Sequence, residues 1–408
     1  MIREIRIENY KSIQQLKLEL GRVTVLIGEN GGGKSNILEA IALTAAAASD
    51  KLDNEFLAPR GIRETEPQLM RAAFDKNNVT KNIKISLTGD NEFIFDCPLH
   101  NDNKPYAKWV NSSINIPNEV FKPSQFSESN DNMMTELILL LGIIYKPTRR
   151  IASTVAMGML INEMIKSHSK GSATTPLDKN LVTKKLEWLD QNLTHLQEFI
   201  IYSPEYHCLR NFKEEGQIQP LGINGEGLFK LLTVFNLDKL NEIKGLLKLL
   251  GWFKDFQVPQ NSSVSNRILQ IDDKYLDQEI MLDQRSTNEG FLFLLFYFGL
   301  FISEDTPPFF AIDNIDASLN PKLCRRLIKE LVNLANKYDK QVIFTTHNPA
   351  ILDGLNLNDD EQRLFVVSRH KSGYTRARRF LKPETKEEPV TLSEAFLRGY
   401  LGGLPKSF

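Results

Sequence analysis

Gly28-Glu29-Asn30-Gly31-Gly32-Gly33-Lys34-Ser35 decides the fold. The stretch fits G-x-x-x-x-G-K-[ST] at every position, and its flanks are those the pattern needs. Before it, residues 22–27 (Arg-Val-Thr-Val-Leu-Ile) are apolar and β-branched and read as a short buried strand. After it, residues from Ser35 onward repeat apolar side chains at helical spacing. A strand, a glycine-rich turn and a helix N-terminus together make an anion cradle. Backbone N–H groups converge on phosphate oxygens, and the helix dipole adds partial positive charge. Three successive glycines let the backbone wrap closely with no Cβ in the way. Lys34 is placed to reach the outer phosphates of a nucleoside triphosphate, and the Ser35 hydroxyl to ligate Mg²⁺.

Composition sets the outer bounds. The chain has 408 residues, 41% hydrophobic and 25% charged, with a formal net charge of −1. It is neither low in complexity nor rich in glycine and proline, and no global field draws it to nucleic acid or membrane. Any such contact must come from a local patch. Cys97, Cys208 and Cys324 are odd in number and far apart, which argues against a disulfide framework or thiolate metal site and fits a reducing cytoplasm. The N-terminus alternates charged and apolar residues, unlike a secretion signal. The most apolar run, Phe291 to Ile302, is too short to span a bilayer and reads as a buried helix.

Outward from the loop, residues 2–20 alternate apolar and polar side chains around Asn9-Tyr10-Lys11-Ser12, the pattern of two short strands about a polar bend. With the loop strand they are expected to begin a mixed sheet. Residues 51–78 carry Pro59-Arg60-Gly61 and Glu66-Pro67 and read as irregular. Residues 81–95 alternate again, with Gly89-Asp90-Asn91 as a hairpin turn. Residues 97–135 are polar, a surface excursion. From 135 to about 200 the pattern is mainly helical, and Leu186, Leu189, Leu193 and Leu196 form a packing stripe. A helix is expected over 228–250 and strands over 267–281. The later segments read as a helix from Phe291, a strand over 309–313, a helix over 322–337 and a strand over 341–345. Strands and helices alternate at both ends of the chain, so those ends should share one α/β sheet with the middle inserted.

The second half supplies what a phosphate loop needs. Phe309-Phe310-Ala311-Ile312-Asp313 is an apolar strand ending in a carboxylate. Ligands of open α/β sheets bind at such strand ends, so Asp313 should hold Mg²⁺ directly or through water. His347, just after the 341–346 run, can sense the γ-phosphate or orient water, or merely cap a strand end. The basic tail residues Arg369, Lys371, Arg376, Arg378, Arg379 and Lys382 suit a solvated strand face or contact with nucleic-acid phosphates. Arg149-Arg150 is a weaker candidate of the same kind.

Taken in order, four motifs resemble the ATPase heads of the OLD, RecF and SMC group of ABC-like ATPases. They are Asn9-Tyr10-Lys11-Ser12; the phosphate loop; 311–316 (Ala-Ile-Asp-Asn-Ile-Asp) with Leu319-Asn320-Pro321; and 344–349 (Phe-Thr-Thr-His-Asn-Pro). The compact heads of the PtuA and AriA type in anti-phage defence are the most similar in kind. The resemblance implies an α/β ABC-type head with a P-loop and mixed sheet, which binds ATP and Mg²⁺ and hydrolyses ATP. It implies nucleotide contacts from Lys11, Asn30, Gly31, Gly32, Gly33, Lys34, Ser35 and Asn36, with Ser35 and Asp313 on the metal. Two heads would sandwich two nucleotides. Ser286, Asn288 and Gly290 would correspond to the loop that each head presents to the other's γ-phosphate, although relatives usually carry Ser where Asn288 stands. They also usually carry Glu where this chain has Asn314. A neutral amide orients water but accepts no proton near neutral pH. Slow hydrolysis is therefore expected, or else a base supplied from elsewhere by Asp316 or His347; the candidate catalytic groups are Asn314, Asp316 and His347.

The expected architecture is a head formed by residues 1–100 and 271–408, interrupted over 101–270 by a compact, mainly helical insertion. The residues after 347 are few and basic, unlike the acidic nuclease domain of many OLD relatives, so any DNA cleavage would fall to a separate polypeptide. The expected partners are a second copy of this chain and a separate effector or nuclease, with DNA as an open alternative and no membrane. Two functional classes follow: a switch subunit in bacterial anti-phage defence, or a repair or chromosome-maintenance ATPase that clamps DNA.

Overall fold

The computed structural model describes residues 1–91, 93–112, 192–212, 221–259, 267–277, 279–381 and 390–403. In chain order the elements begin with β1 (Ile2–Tyr10), β2 (Ile13–Glu19), β3 (Val23–Gly28), α1 (Lys34–Ala48) and α2 (Asn54–Leu57). β4 (Ile83–Gly89), β5 (Ile94–His100), β6 (Val110–Asn111), β7 (Ile201–Tyr202) and α3 (Tyr206–Arg210) follow. Next come α4 (Leu228–Val234), α5 (Leu237–Leu247), β8 (Phe253–Gln257), β9 (Gln270–Asp273) and α6 (Glu289–Ile302). The chain continues through β10 (Phe309–Ile312), α7 (Pro321–Lys337), β11 (Gln341–Thr346), β12 (Gln362–Arg369), β13 (Thr375–Phe380) and α8 (Leu392–Leu397).

Two sheets carry the fold. The first is antiparallel, in the order β2-β1-β4-β5-β6; the second runs β13-β12-β3-β11-β10-β7. In the second, β12, β3, β11, β10 and β7 are parallel and β13 closes one edge antiparallel. The mixed α/β sheet expected from the sequence is present, but β1 and β2 do not share it with β3. The reason lies in their side chains. β1 and β2 bury one face (Ile5, Ile7, Leu16, Leu18) and expose the other, as an antiparallel sheet permits. β3 is buried at every residue and therefore needs a covered neighbour on both sides. It finds them in β11 and β12.

The helix after the phosphate loop lies between the two sheets. All of α1 is buried except Ser35 and Asn36. Its small residues, Ala40, Ala42 and Ala45 to Ala48, let both sheets approach. Leu26, Ala311, Ile343 and Phe365 face it from the parallel sheet, and Ile5, Ile7, Ile85 and Phe95 from the antiparallel one. On the far face of the parallel sheet, Val25, Ile27, Phe310, Ile312 and Phe344 pack against α4 to α7. The centre of that layer is α6, whose residues from Phe291 to Ile302 are all buried. Burying each phenylalanine there contributes about 1.5–3 kcal/mol. At 14 residues α6 is a core helix, and no described helix is long and apolar enough to cross a membrane.

Other expectations change in detail. The helix expected over 228–250 breaks at Phe235-Asn236, because the Asn236 side chain accepts the Lys239 N–H (2.9 Å) and starts α5 anew. The expected excursion from 97 begins inside β5, where Cys97 and Leu99 are buried, and 110–111 form β6. Of the strands expected over 267–281, β9 is the one that forms among the described residues, paired with β8. Within 101–270, β6 joins one main sheet, β7 joins the other, and α4 and α5 share a core with α6. Leu193 and Leu196 are buried, whereas Leu186, Leu189, Arg149-Arg150 and most of the expected 135–200 helical stretch lie outside the described residues. So does Lys382.

Candidate nucleotide site

The site forms where β3, β10 and β11 end together. Backbone geometry at the loop requires its glycines. A Cβ on Gly28 would sit 1.8 Å from the Val367 carbonyl oxygen of β12, and one on Gly33 (φ 106°) 2.0 Å from Thr375 Oγ1. No larger residue fits either position. Lys34, the first residue of α1, is buried, and its Nζ donates to the carbonyls of Gly28 (2.9 Å) and Glu29 (3.0 Å). His347 Nδ1 stands 3.4 Å from the same nitrogen. Burial pushes the Lys34 pKa down to about 8, partly opposed by Asp313, Asp316 and Glu29. His347 is also lowered, first by burial and then by the Lys34 charge, which keeps its ring neutral at neutral pH.

Asp313 follows directly on β10. One carboxylate oxygen accepts from Ser35 Oγ (3.1 Å) and the other from Thr345 Oγ1. Thr345 Oγ1 also accepts the Asn314 N–H (2.9 Å), which fixes the turn after β10. Asn314 adopts a left-handed backbone (φ 55°) and its side chain is exposed at the cavity. Asp316 accepts from Thr346 Oγ1 (2.6 Å) and does not line the cavity.

A hydroxyl and a carboxylate in contact are hard oxygen donors, which fits Mg²⁺ completed by phosphate oxygens and water. Among the described residues there is no cluster of three or more His, Cys, Asp or Glu side chains to hold a metal on its own. The cavity has a volume of about 270 Å³. Asn30, Gly31, Gly33, Lys34, Ser35 and Asn36 line it from the loop and α1, and Asp313, Asn314 and His347 from the strand ends. Gly32 turns its N–H to the Glu29 carbonyl (3.2 Å).

Not every expected residue is there. Lys11 is paired with buried Glu39 and donates to the Arg63 carbonyl (2.7 Å), outside the cavity lining. The Asn36 amide donates to Ser12 Oγ (2.6 Å) and accepts from Arg63 (3.0 Å). Asn288 and Gly290 line a separate groove of about 700 Å³ beside Trp252, Lys322 and Arg326. Asn288 caps α6 by accepting the Phe291 N–H (2.9 Å), and Ser286 is exposed beside it.

Sequence reasoning missed three residues. Arg63 lines the cavity while bound to Glu39. Arg369 lines it from the end of β12 and donates to the Gly31 carbonyl (2.7 Å). Thr345 orients Asp313. Of these only Thr345 carried a signal, its place in the Thr-Thr-His run; Arg63 lies in a stretch without periodicity, and Arg369 reads as one charge in a run.

A family model described as AAA ATPase domain matches residues 1–224, and one described as AAA domain, putative AbiEii toxin, Type IV TA system matches residues 239–353. The chain is 27% identical over 184 residues to the DNA double-strand break repair Rad50 ATPase of Methanocaldococcus jannaschii, covering 44% of this chain and 18% of that protein. It is 23% identical over 383 residues to the Septu protein PtuA of Bacillus mycoides, covering 91% of this chain and 41% of that one. It thus spans less than half the length of either. A solved SMC head bound to the C-winged helix domain of ScpA superposes with a TM-score of 0.48 at 14% identity, covering 93% of this chain and 97% of that one. The Rad50 and PtuA likenesses bear out the resemblance carried by the four motifs. The chain belongs to the AAA ATPase domain family, within the SMC and RecF group of ABC-like ATPases.

Proposed function

We propose that this protein is an ATP- and Mg²⁺-dependent switch subunit, two copies of which close around two nucleotides and control a separate effector or nuclease in bacterial anti-phage defence. One observation carries the switch reading. Lys34, Ser35, Asp313 and His347 converge on one cavity, while the 286–290 loop lines a different groove of the same chain. A γ-phosphate in the cavity therefore has no donor from that loop unless a second copy brings it. The near full-length match of this chain to PtuA supports the defence role.

In the proposed cycle, phosphate oxygens replace the Gly28 and Glu29 carbonyls on Lys34. Ser35 Oγ and Asp313 would hold Mg²⁺, which when bound would neutralise charge on the phosphates. Thr345 fixes the Asp313 carboxylate, and neutral His347 can accept a hydrogen bond from the attacking water. Asn314 can orient that water but not take its proton, so hydrolysis is slow and the closed state long-lived. The three cysteines, odd in number and far apart, suit a reducing cytoplasm.

The test is mass in solution. With Mg²⁺ and a non-hydrolysable ATP analogue, light scattering should report a doubled mass, which ADP does not produce and Lys34→Ala abolishes. A mass unchanged by analogue at saturating concentration overturns the sandwich.

A second reading, a DNA-clamping ATPase, is favoured by one groove. A cleft of about 1040 Å³ between the antiparallel sheet and the β12–β13 hairpin is lined by Lys17, Lys81, Lys84 and Arg376, with amides from Gln14 and Gln15. Among the described residues Glu8 is the one carboxylate in its lining. Most tail arginines are otherwise engaged: Arg363 and Arg379 pair with Asp360, and Arg378 donates to the Leu401 carbonyl (2.6 Å). Duplex binding that weakens steeply with salt and strengthens with ATP supports this reading. Co-purification with the product of an adjacent gene supports the first.

A further inference from the structure

The phosphate loop is gripped from outside by the β12–β13 hairpin. Arg369, the last residue of β12, donates Nε to the Gly31 carbonyl (2.7 Å) and Nη1 to the Gly373 carbonyl. Thr375, the first residue of β13, donates Oγ1 to the Gly32 carbonyl (3.0 Å) and meets Ser12 Oγ at 2.7 Å. Two consecutive loop carbonyls are thus held by one hairpin.

Three cations line the cavity: Lys34, Arg63 and Arg369. Their commitments differ. Lys34 is buried on two loop carbonyls under the influence of Asp313 and Asp316, and Arg63 is paired with the Glu39 carboxylate. The Arg369 guanidinium rests on carbonyls alone, and no carboxylate forms an ion pair with it among the described residues. It is exposed, and a guanidinium has five N–H donors, of which these bonds use two. A charge resting on neutral acceptors beside an anion cradle gains by exchanging them for a phosphate oxygen, because charge-assisted bonds are roughly twice as strong.

We propose that Arg369 is a nucleotide-phosphate ligand supplied by the C-terminal hairpin, which holds the Gly31 carbonyl until a phosphate oxygen replaces it. The inference rests on the ATP-binding reading of the cavity. It also reaches the other side of the hairpin. The same guanidinium anchors Gly373 in a turn closed by the stacked His370 and Tyr374 rings (4.3 Å), and Tyr374 and Thr375 line the lysine-bearing groove.

Binding of fluorescent mant-ATP with Mg²⁺ tests this. Wild-type protein binds, and Lys34→Ala does not. Arg369→Ala binds about tenfold more weakly, the loss of one charge-assisted contact. Arg369→Lys recovers most of the affinity, since it keeps the charge but cannot span both carbonyls. Lys371→Ala in the turn stays within twofold of wild type. Arg369→Ala within twofold of wild type, while Lys34→Ala fails to bind, overturns the inference and leaves the ATP reading intact. Equal weakness of the Ala and Lys variants, with both melting lower than wild type, also overturns it, because that pattern belongs to a purely structural tie. A wild-type protein that does not bind overturns both.

Discussion

Asn314 is the residue at which the proposed slow tempo of the site is tested. It occupies a left-handed backbone position that asparagine tolerates better than most residues do. Asn314→Glu supplies the proton acceptor that the neutral amide lacks. Phosphate release at saturating ATP is expected to rise by about 10²-fold, the lower end of what a positioned base contributes. Urea unfolding should show a cost of about 1 kcal/mol from forcing glutamate into that conformation. A second residue governs response to pH. Lys340 is buried, donates to the Thr306 and Pro307 carbonyls, and has its pKa pushed down to about 8 by burial. Between that value and its ordinary 10.5 the unfolded chain holds the extra proton, so stability rises with pH across this window. Urea titrations at pH 7, 8.5 and 10 should show that rise, and Lys340→Met should flatten it; Lys34 adds a rise of the same sign. At this scale the convergence of Lys34, Ser35, Asp313 and His347 on one cavity was legible, because each stands in the loop or at the end of a buried apolar strand. Arg63 and Arg369 were not, since each acquires its role from a fold that brings distant segments to one cavity. Lys11 belongs to the motif, yet its ammonium is paired with buried Glu39 and lies outside the cavity lining.

Helix α1 and helix α6 each set a condition on their surroundings. Because α1 lies between two sheets, its alanines have no spare space on either side. Ala45→Leu is expected to cost about 1–3 kcal/mol by overpacking, read as a lowered denaturation midpoint. The start of α6 depends on the Asn288 cap. Asn288→Ala should lose about 1 kcal/mol, whereas Asn288→Ser keeps a capping oxygen and should leave both stability and ATP-driven dimerisation near wild type. Dimerisation lost in both variants at unchanged stability would assign the asparagine itself to the partner's phosphate. Element identity was largely readable from periodicity, because β1 and β2 alternate and β3 does not. Periodicity reports which faces are buried, not which sheet supplies the cover. That is why β1 and β2, read as neighbours of β3, lie in a different sheet from it.

The whole molecule places its two ends side by side. β3 has β11 on one side and β12 on the other, and Gly28 abuts Val367. That the ends pack together could be anticipated from alternating strands and helices at both termini. The order of strands could not, since every parallel strand here is a short apolar run with the same appearance. Such long-range pairing has a consequence during translation. The nucleotide loop (residues 28–35) leaves the ribosome long before β11 (Gln341–Thr346) and β12 (Gln362–Arg369), the strands that flank β3. At about 5–20 residues per second, that delay is roughly twenty seconds to a minute. Throughout it the nascent loop has no Asp313, no His347 and no grip on its carbonyls. Until those strands are made, the loop cannot form the cavity that Asp313, His347 and Arg369 complete.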